Sequence, residues 1–103
     1  DDQAMVRFVY DLAEAAAHYE LLVDYHGVYK PTGLQRTYPN AINFEGVHGL
    51  ETMKWLGAEH DQLKYDVTIP FVRALAGPMD YTPGAMRNAD RGEYRPDYSR
   101  PMS

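Results

Sequence analysis

Three short apolar segments of this chain each end in polar residues that can do chemistry. Asp24 and His26 follow the first segment, Glu45 ends the second, and Asp80 and Tyr81 follow the third. In parallel α/β folds, binding and catalytic sites form from the loops at the carboxyl ends of the strands. Each acid alone is more simply explained as a solvated loop carboxylate or a helix cap. The recurrence at three segment ends favours a shared site.

Glu45 and Glu51 are the pair of candidate site residues with the most specific functional interpretation. On one helix this spacing would point them about 240° apart, so they cannot share a helical face. They can converge if Glu45 ends a strand and the turn at residues 46–49 folds Glu51 back. In a chain without cysteine, convergent carboxylates favour a hard, oxygen-seeking cation such as calcium. Alternatively one of them is a general acid, or both simply face solvent.

Other side chains give weaker signals. His26 and His48 could be zinc ligands, but they lack the short spacing of paired zinc ligands, so hydrogen bonding to a polar ligand is the better expectation. Trp55 and the tyrosines can stack on sugar rings, although core packing is the more common use of large aromatic residues. The sequence contains neither a Gly-x-Ser-x-Gly elbow nor a glycine-rich phosphate loop.

Composition excludes several classes of protein. The chain has 103 residues, a formal net charge of −5 and no cysteine, so it has neither a disulfide scaffold nor a thiolate zinc site. No apolar run approaches the roughly 18 residues that a transmembrane helix needs. The acidic balance argues against a nucleic-acid backbone reader, and an aromatic share of 13% argues against a disordered acidic tail.

The elements that must position these residues follow from periodicity. The apolar run at residues 21–23 predicts a buried parallel strand, and residues 41–44 form a second short apolar element. A helix over residues 4–19 is predicted by five apolar residues at the 3.6-residue period, namely Met5, Phe8, Val9, Leu12 and Ala16. A helix followed directly by a strand indicates a βαβ repeat and therefore an α/β fold.

The second half of the chain has less regular hydrophobic patterns. Residues 50–56 predict a helix or turn, and residues 76–84 predict a strand that leads into a loop. A helix is predicted over residues 66–75 with Asp66 or Thr68 as its cap, because Pro70 is tolerated only in a first turn. Polar loops are predicted at residues 57–65 and 87–103.

Several motifs keep a fixed order along residues 1–85. They are Leu21-Leu22-Val23-Asp24-Tyr25-His26-Gly27, Lys30-Pro31-Thr32-Gly33, Arg36-Thr37-Tyr38-Pro39-Asn40, Glu45-Gly46 with Gly49-Leu50-Glu51, and Gly77-Pro78-Met79-Asp80-Tyr81-Thr82-Pro83-Gly84. Together they resemble the catalytic domain of glycoside hydrolase family 97. The opening Asp1-Asp2-Gln3 is similar to the start of the helix that follows a catalytic strand in that family.

The resemblance implies a (β/α)₈ TIM barrel that acts on α-linked sugars with a calcium ion in its active site. Residues 1–103 would be a fragment of that barrel, truncated at both ends, with about three to four of its βα elements. The family's calcium-binding glutamates fall on Glu45 and Glu51, and Glu51 also matches the general acid. His26 matches a substrate-contacting position, and Asp24 is assigned to substrate binding beside it.

The family divides into inverting α-glucosidases and retaining α-galactosidase-like enzymes. Inverting members carry a glutamate directly after the motif histidine, where this chain has Gly27. Retaining members use an aspartate nucleophile that would lie just upstream of Asp1. The resemblance therefore implies a calcium-dependent retaining glycosidase that cleaves α-galactosidic bonds by double displacement. An inverting α-glucosidase and a non-catalytic carbohydrate-binding relative are the alternatives.

The resemblance also implies partners and a location. The partners are an oligosaccharide or α-galactoside substrate and the rest of the same polypeptide, which includes an amino-terminal sandwich domain. Bacterial export to the periplasm or the medium is expected, with a signal peptide outside this chain. Residues 1–103 alone are expected to be inactive because the nucleophile lies upstream.

Overall fold

The computed structural model of the chain describes residues 2–84, so the predicted loop at 87–103 lies outside the described residues. In chain order the elements are helix α1 (Gln3–His18), strand β1 (Val23–Tyr25), the short helix α2 (Leu34–Thr37), strand β2 (Ala41–Phe44), a 3₁₀ helix (Leu50–Trp55), helix α3 (Gln62–Arg73) and a 3₁₀ turn (Ala74–Ala76). The predicted α/β class is confirmed. No helix within residues 2–84 has the length and hydropathy needed to cross a membrane.

The two strands form a parallel sheet. Val23 pairs with Ala41 and Tyr25 with Phe44, with an irregularity in the register after Val23. Parallel neighbours need a crossover connection, and here the connection between the strands contains α2. Both strands therefore end at the same edge of the sheet. The larger barrel that the family resemblance implies stays a prediction.

Helix α1 forms where its periodicity predicts it. Its buried stripe consists of Val9, Ala13 and Ala16, of which the first and last were predicted core positions. The remaining predicted core residues face outward with exposed fractions of 40–58%, namely Met5, Phe8 and Leu12. The sheet contacts only one stripe of the helix, so among residues 2–84 the second apolar stripe has no cover and its predicted burial was wrong.

Strand β1 begins later than the apolar run predicts. Leu21 and Leu22 are 58% and 70% exposed, and only Val23 of that run lies in the strand. The reason is the end of α1, where Glu20 adopts a left-handed φ of 58° and the Leu21 N–H donates to the Ala16 carbonyl at 2.9 Å. This helix-terminating pattern uses the Leu21 backbone, so strand pairing starts downstream of it.

Helix α3 begins earlier than predicted. Asp61 caps it by accepting a hydrogen bond from the Lys64 N–H at 3.0 Å, so the helix starts at Gln62. Pro70 consequently lies inside the helix rather than in its first turn. A proline there removes one helical N–H and normally destabilises the helix. The predicted helix start near Asp66, with Asp66 or Thr68 as the cap and Pro70 in the first turn, was therefore wrong.

The segment at residues 76–84 contains no assigned strand, contrary to the prediction. It is held by single backbone hydrogen bonds instead. The Asp80 N–H donates to the Phe44 carbonyl at 2.9 Å, and the Leu50 N–H donates to the Thr82 carbonyl at 2.9 Å. The first of these bonds places Asp80 beside the end of β2.

The core lies between α1 and the sheet and consists of Val9, Ala13, Tyr25, Leu34, Ala41 and Phe44. The rings of Tyr25 and Phe44 stack with their centroids 5.2 Å apart. The Tyr25 hydroxyl donates to the Val9 carbonyl at 2.7 Å, which ties β1 to α1. This packing fixes the strand ends that carry the polar residues.

We expect Tyr25→Phe to lower the free energy of unfolding of the intact protein by about 1 kcal/mol, because the variant loses a buried hydrogen bond but keeps its ring. Tyr19→Phe is the matched control, since Tyr19 is 73% exposed, and it should change stability by a few tenths of a kcal/mol at most. Denaturant titration of both variants measures the difference. Equal effects would contradict a stabilising role for the Tyr25 hydroxyl.

Candidate functional site

The carboxyl ends of β1 and β2 bring three polar side chains together. His26 directly follows β1, Glu45 directly follows β2, and Asp80 comes from the segment bonded to Phe44. One potential metal-ligating atom from each of the three lies within 4.8 Å of the others. His26 Nδ1 is 3.3 Å from Glu45 Oε2 and 3.3 Å from Asp80 Oδ2. The expectation that strand-end residues converge is therefore confirmed for these three.

The cluster has a buried side and an open side. The Glu45 side chain is only 11% exposed, whereas the His26 side chain is 70% exposed. The pKa of His26 is raised above its usual value, first by its hydrogen bond with Asp80 and then by the charge of Glu45. Because Nδ1 faces the two carboxylates, Nε2 is the ring nitrogen that can meet a ligand approaching from solvent.

Glu45 also contacts the turn that follows β1. The Gly27 N–H donates to Glu45 Oε2, and Gly27 adopts a left-handed φ of 70°. This turn aims its backbone N–H at the carboxylate across the strand ends. Glu45 therefore links the two strands at the edge where the cluster lies.

Asp24 is exposed and adjoins the same cluster. Its pKa is raised, mainly by desolvation and next by the negative charge of Asp80, while His26 acts in the opposite direction. These influences place Asp24 within electrostatic range of the cluster. Its assignment to substrate binding, like that of His26, stays a prediction.

Glu51 lies in the first turn of the 3₁₀ helix at Leu50–Trp55, outside the His26, Glu45 and Asp80 set. Its Oε2 is buried and has no hydrogen-bond partner among the described residues. Its charge nonetheless contributes to the raised pKa of His26, so it lies in electrostatic range of that cluster. A buried carboxylate oxygen without a partner is costly. A hydrogen-bond donor or a cation beside Oε2 would remove that cost, and the two predicted roles of Glu51 stay predictions.

Two residues near the cluster serve the scaffold. The Tyr81 hydroxyl donates to Asp66 Oδ1 at 2.6 Å, and burial raises the pKa of Tyr81 well above its usual value. Asp66, predicted as a helix cap, lies inside α3 and accepts this bond instead.

Trp55, considered for sugar stacking, is 64% exposed with Lys54 Nζ 4.3 Å from its ring centroid.

Sequence reasoning missed one buried residue at the site. Arg73, the last residue of α3, is 5% exposed, and its guanidinium reaches the end of β2. An arginine in the last turn of a helix is ordinary, because it complements the helix dipole. No sequence signal separates Arg73 from that use.

The chain is similar to known glycoside hydrolases. A family model described as "Glycoside hydrolase 97" matches residues 1–47. The chain is 62% identical over 103 residues to a "Retaining alpha-galactosidase" of Bacteroides thetaiotaomicron, a match that covers 100% of the chain and 16% of the relative. It is 37% identical over 91 residues to a "Probable retaining alpha-galactosidase" of Streptomyces bingchenggensis, covering 88% of the chain and 13% of that relative.

The match to the Bacteroides protein covers the whole strand-end cluster, and the family model covers His26 and Glu45. The chain spans 16% and 13% of the lengths of the two relatives. No solved structure matches the chain. The identity over the whole chain and the family match at residues 1–47 confirm the resemblance that the motifs predicted. The chain therefore belongs to glycoside hydrolase family 97.

Proposed function

We propose that this chain forms part of the active site of a retaining glycoside hydrolase that cleaves α-galactosidic bonds. The observation that carries the proposal is the convergence of His26, Glu45 and Asp80 at the carboxyl ends of two parallel strands. Barrel enzymes build their active sites at this edge. The names of the two similar proteins support the substrate class and the retaining outcome.

In this proposal β1 and β2 are neighbouring strands of a (β/α)₈ barrel, and α1 packs on the outside. The outward apolar stripe at Met5, Phe8 and Leu12 supports this arrangement, because helices of a barrel also pack against each other. We also propose that the intact enzyme is exported to the periplasm or the medium of a bacterium, as the family resemblance implies.

Glu51 acts as the general acid and then as the general base. Its carboxyl proton passes to the glycosidic oxygen as that bond breaks, while an aspartate upstream of Asp1 attacks the anomeric carbon and forms a glycosyl ester. Glu51, now ionised, takes a proton from water as the water oxygen displaces the aspartate. Two carboxyl groups about 5 Å apart suffice for this reaction. The match of Glu51 to the general acid of the family supports this role.

His26 and Asp24 bind the sugar. The His26 side chain is 70% exposed and can donate a hydrogen bond from Nε2, while the neighbouring Asp24 is exposed and offers carboxylate acceptors. A donor and an acceptor side by side can engage adjacent sugar hydroxyls. The binding energy would orient the anomeric carbon toward the reacting carboxyl groups.

The residues present fit a calcium ion in their chemistry. Calcium takes six to eight oxygen ligands. Glu45 and Glu51, whose Oε2 has no hydrogen-bond partner within residues 2–84, would hold it from this chain. Asp80 offers a further carboxylate beside Glu45. The nitrogen of His26 is a poor calcium ligand, so His26 stays assigned to the sugar. When bound, calcium would orient sugar hydroxyls and stabilise developing negative charge.

The configuration of the first sugar released tests this proposal. The intact protein should hydrolyse an aryl α-galactoside and release α-galactose first, because two inversions restore the configuration. Proton NMR during the first minutes of reaction distinguishes the anomers before they equilibrate. Release of the β anomer would indicate the inverting alternative. Sugar binding without hydrolysis would indicate a non-catalytic relative, and either outcome would overturn the proposal.

A further inference from the structure

Arg73 connects the two chain segments that carry Glu45 and Asp80. The guanidinium is buried and donates all of its hydrogen bonds in the structure to backbone carbonyls. Nε donates to Gly46 at 3.3 Å and Nη1 to Gly77 at 3.2 Å, and Nη2 donates to Phe44 at 2.9 Å, Glu45 at 3.2 Å and Pro78 at 3.3 Å.

The charge of Arg73 has no carboxylate partner within ion-pair distance among residues 2–84. Burial lowers its pKa below the usual arginine value. Removing a guanidinium from water without a counter-ion is unfavourable unless its donors are satisfied. An apolar side chain would fill the same space without that cost, so space filling alone does not account for an arginine here.

The forked geometry of the guanidinium explains why an arginine occupies this buried position. Arginine carries five N–H donors in one rigid plane, and lysine cannot reproduce that arrangement. The donors of Arg73 bind the end of β2 on one side and the carbonyls of Gly77 and Pro78 on the other. The Asp80 N–H also joins these two chain segments, because it donates a hydrogen bond to the Phe44 carbonyl.

The acids of the cluster project from these two segments. Glu45 and Asp80 both reach His26 Nδ1 at 3.3 Å, so their carboxylates converge only while the segments hold their spacing. We propose that Arg73 is a positioning residue that sets the spacing of the Glu45 and Asp80 carboxylates. This inference rests on the proposed function, in which Glu45 is a calcium ligand.

The test compares Arg73→Lys and Arg73→Ala with Arg7→Lys in the intact protein, because Arg7 is exposed on α1. Calcium affinity is measured by calorimetric titration, and hydrolysis with an aryl α-galactoside. Loss of a residue that orients metal ligands typically weakens affinity about 10- to 100-fold. We expect that loss and a lower kcat for both Arg73 variants, and no change for Arg7→Lys. Methylguanidinium should partly restore both properties in Arg73→Ala only.

The outcomes separate the inference from the proposed function. A folded wild-type protein that neither binds calcium nor hydrolyses galactosides would overturn the proposed function. A wild-type protein that does both, with Arg73→Lys showing the same calcium affinity and kcat, would overturn the role of Arg73. If Arg73→Ala fails to fold, Arg73→Lys decides, because it keeps the charge and the aliphatic stem. Arg73→Lys with a lowered melting temperature but unchanged calcium affinity would also overturn it.

Discussion

Glu51→Gln in the intact protein is expected to lower kcat/KM for substrates with poor leaving groups by about 10²- to 10⁴-fold, the usual contribution of general acid catalysis. Alkyl galactosides and oligosaccharides need a proton on the departing oxygen, which glutamine cannot supply. Aryl galactosides with acidic phenols leave as stable anions, so their glycosylation step should be nearly unaffected. The variant also loses the general base, so the covalent intermediate should accumulate.

The dependence on leaving-group pKa measures this effect across a series of aryl and alkyl galactosides. Azide attacks the intermediate without a general base, so it should restore turnover of Glu51→Gln and yield the α-galactosyl azide. Glu14→Gln is the control, because Glu14 is exposed on α1 and its replacement should leave both steps unchanged. Equal losses for poor and good leaving groups would argue that Glu51 holds the metal without transferring a proton.

The strand-end cluster was predictable because one rule of topology covers it. Parallel strands end at the same edge of a sheet, so residues that follow such strands must lie close together. In the sequence, the positions of His26 and Glu45 are recognisable because an abrupt change from apolar to polar residues ends each apolar segment. Asp80 reaches the cluster without a third strand, through one backbone bond to Phe44. The rule therefore accounts for His26 and Glu45, whereas Asp80 was predicted at the same edge from a strand that does not form.

The role of Arg73 was not predictable because its partners are backbone carbonyls. Every residue carries a carbonyl, so nothing in the sequence distinguishes the five that accept from Arg73. Gly77 lies four positions from Arg73 in the sequence, but Phe44 lies 29 positions away. Contacts between residues so far apart in the sequence depend on where α3 lies relative to the sheet. Hydrophobic periodicity does not encode that placement.

Periodicity also failed to tell which apolar face is buried. Helix α1 carries two apolar stripes, and α3 with the 3₁₀ turn carries another whose exposed fractions are 67–90%, at Leu63, Val67, Phe71 and Leu75. An amphipathic pattern predicts that a face is covered but not by what. Contiguous exposed apolar residues of this kind mark surfaces that pack against other elements. This is consistent with a chain that spans 16% of its relative.

Gly46→Ala is expected to destabilise the intact protein by about 2 to 4 kcal/mol, from left-handed backbone strain and overpacking together. Gly46 has a φ of 40°, and a Cβ there would lie 2.6 Å from Lys30 Cα and 2.7 Å from the Tyr29 carbonyl carbon. These are backbone atoms that cannot rotate away. Because the Gly46 N–H also donates to the Val28 carbonyl at 2.8 Å, the displacement would move Glu45 and weaken calcium binding.

Gly27→Ala is the matched control for this prediction. Gly27 also has a positive φ, 70°, but a Cβ there meets nothing within 4 Å. Backbone strain alone should therefore cost it about 1 kcal/mol. Denaturant titrations of both variants isolate the contribution of close packing at Gly46. Equal losses would mean that the backbone at residues 29–30 can move away from the added Cβ at little cost. The close contact between that backbone and Gly46 would then not be what holds Glu45 at the strand end.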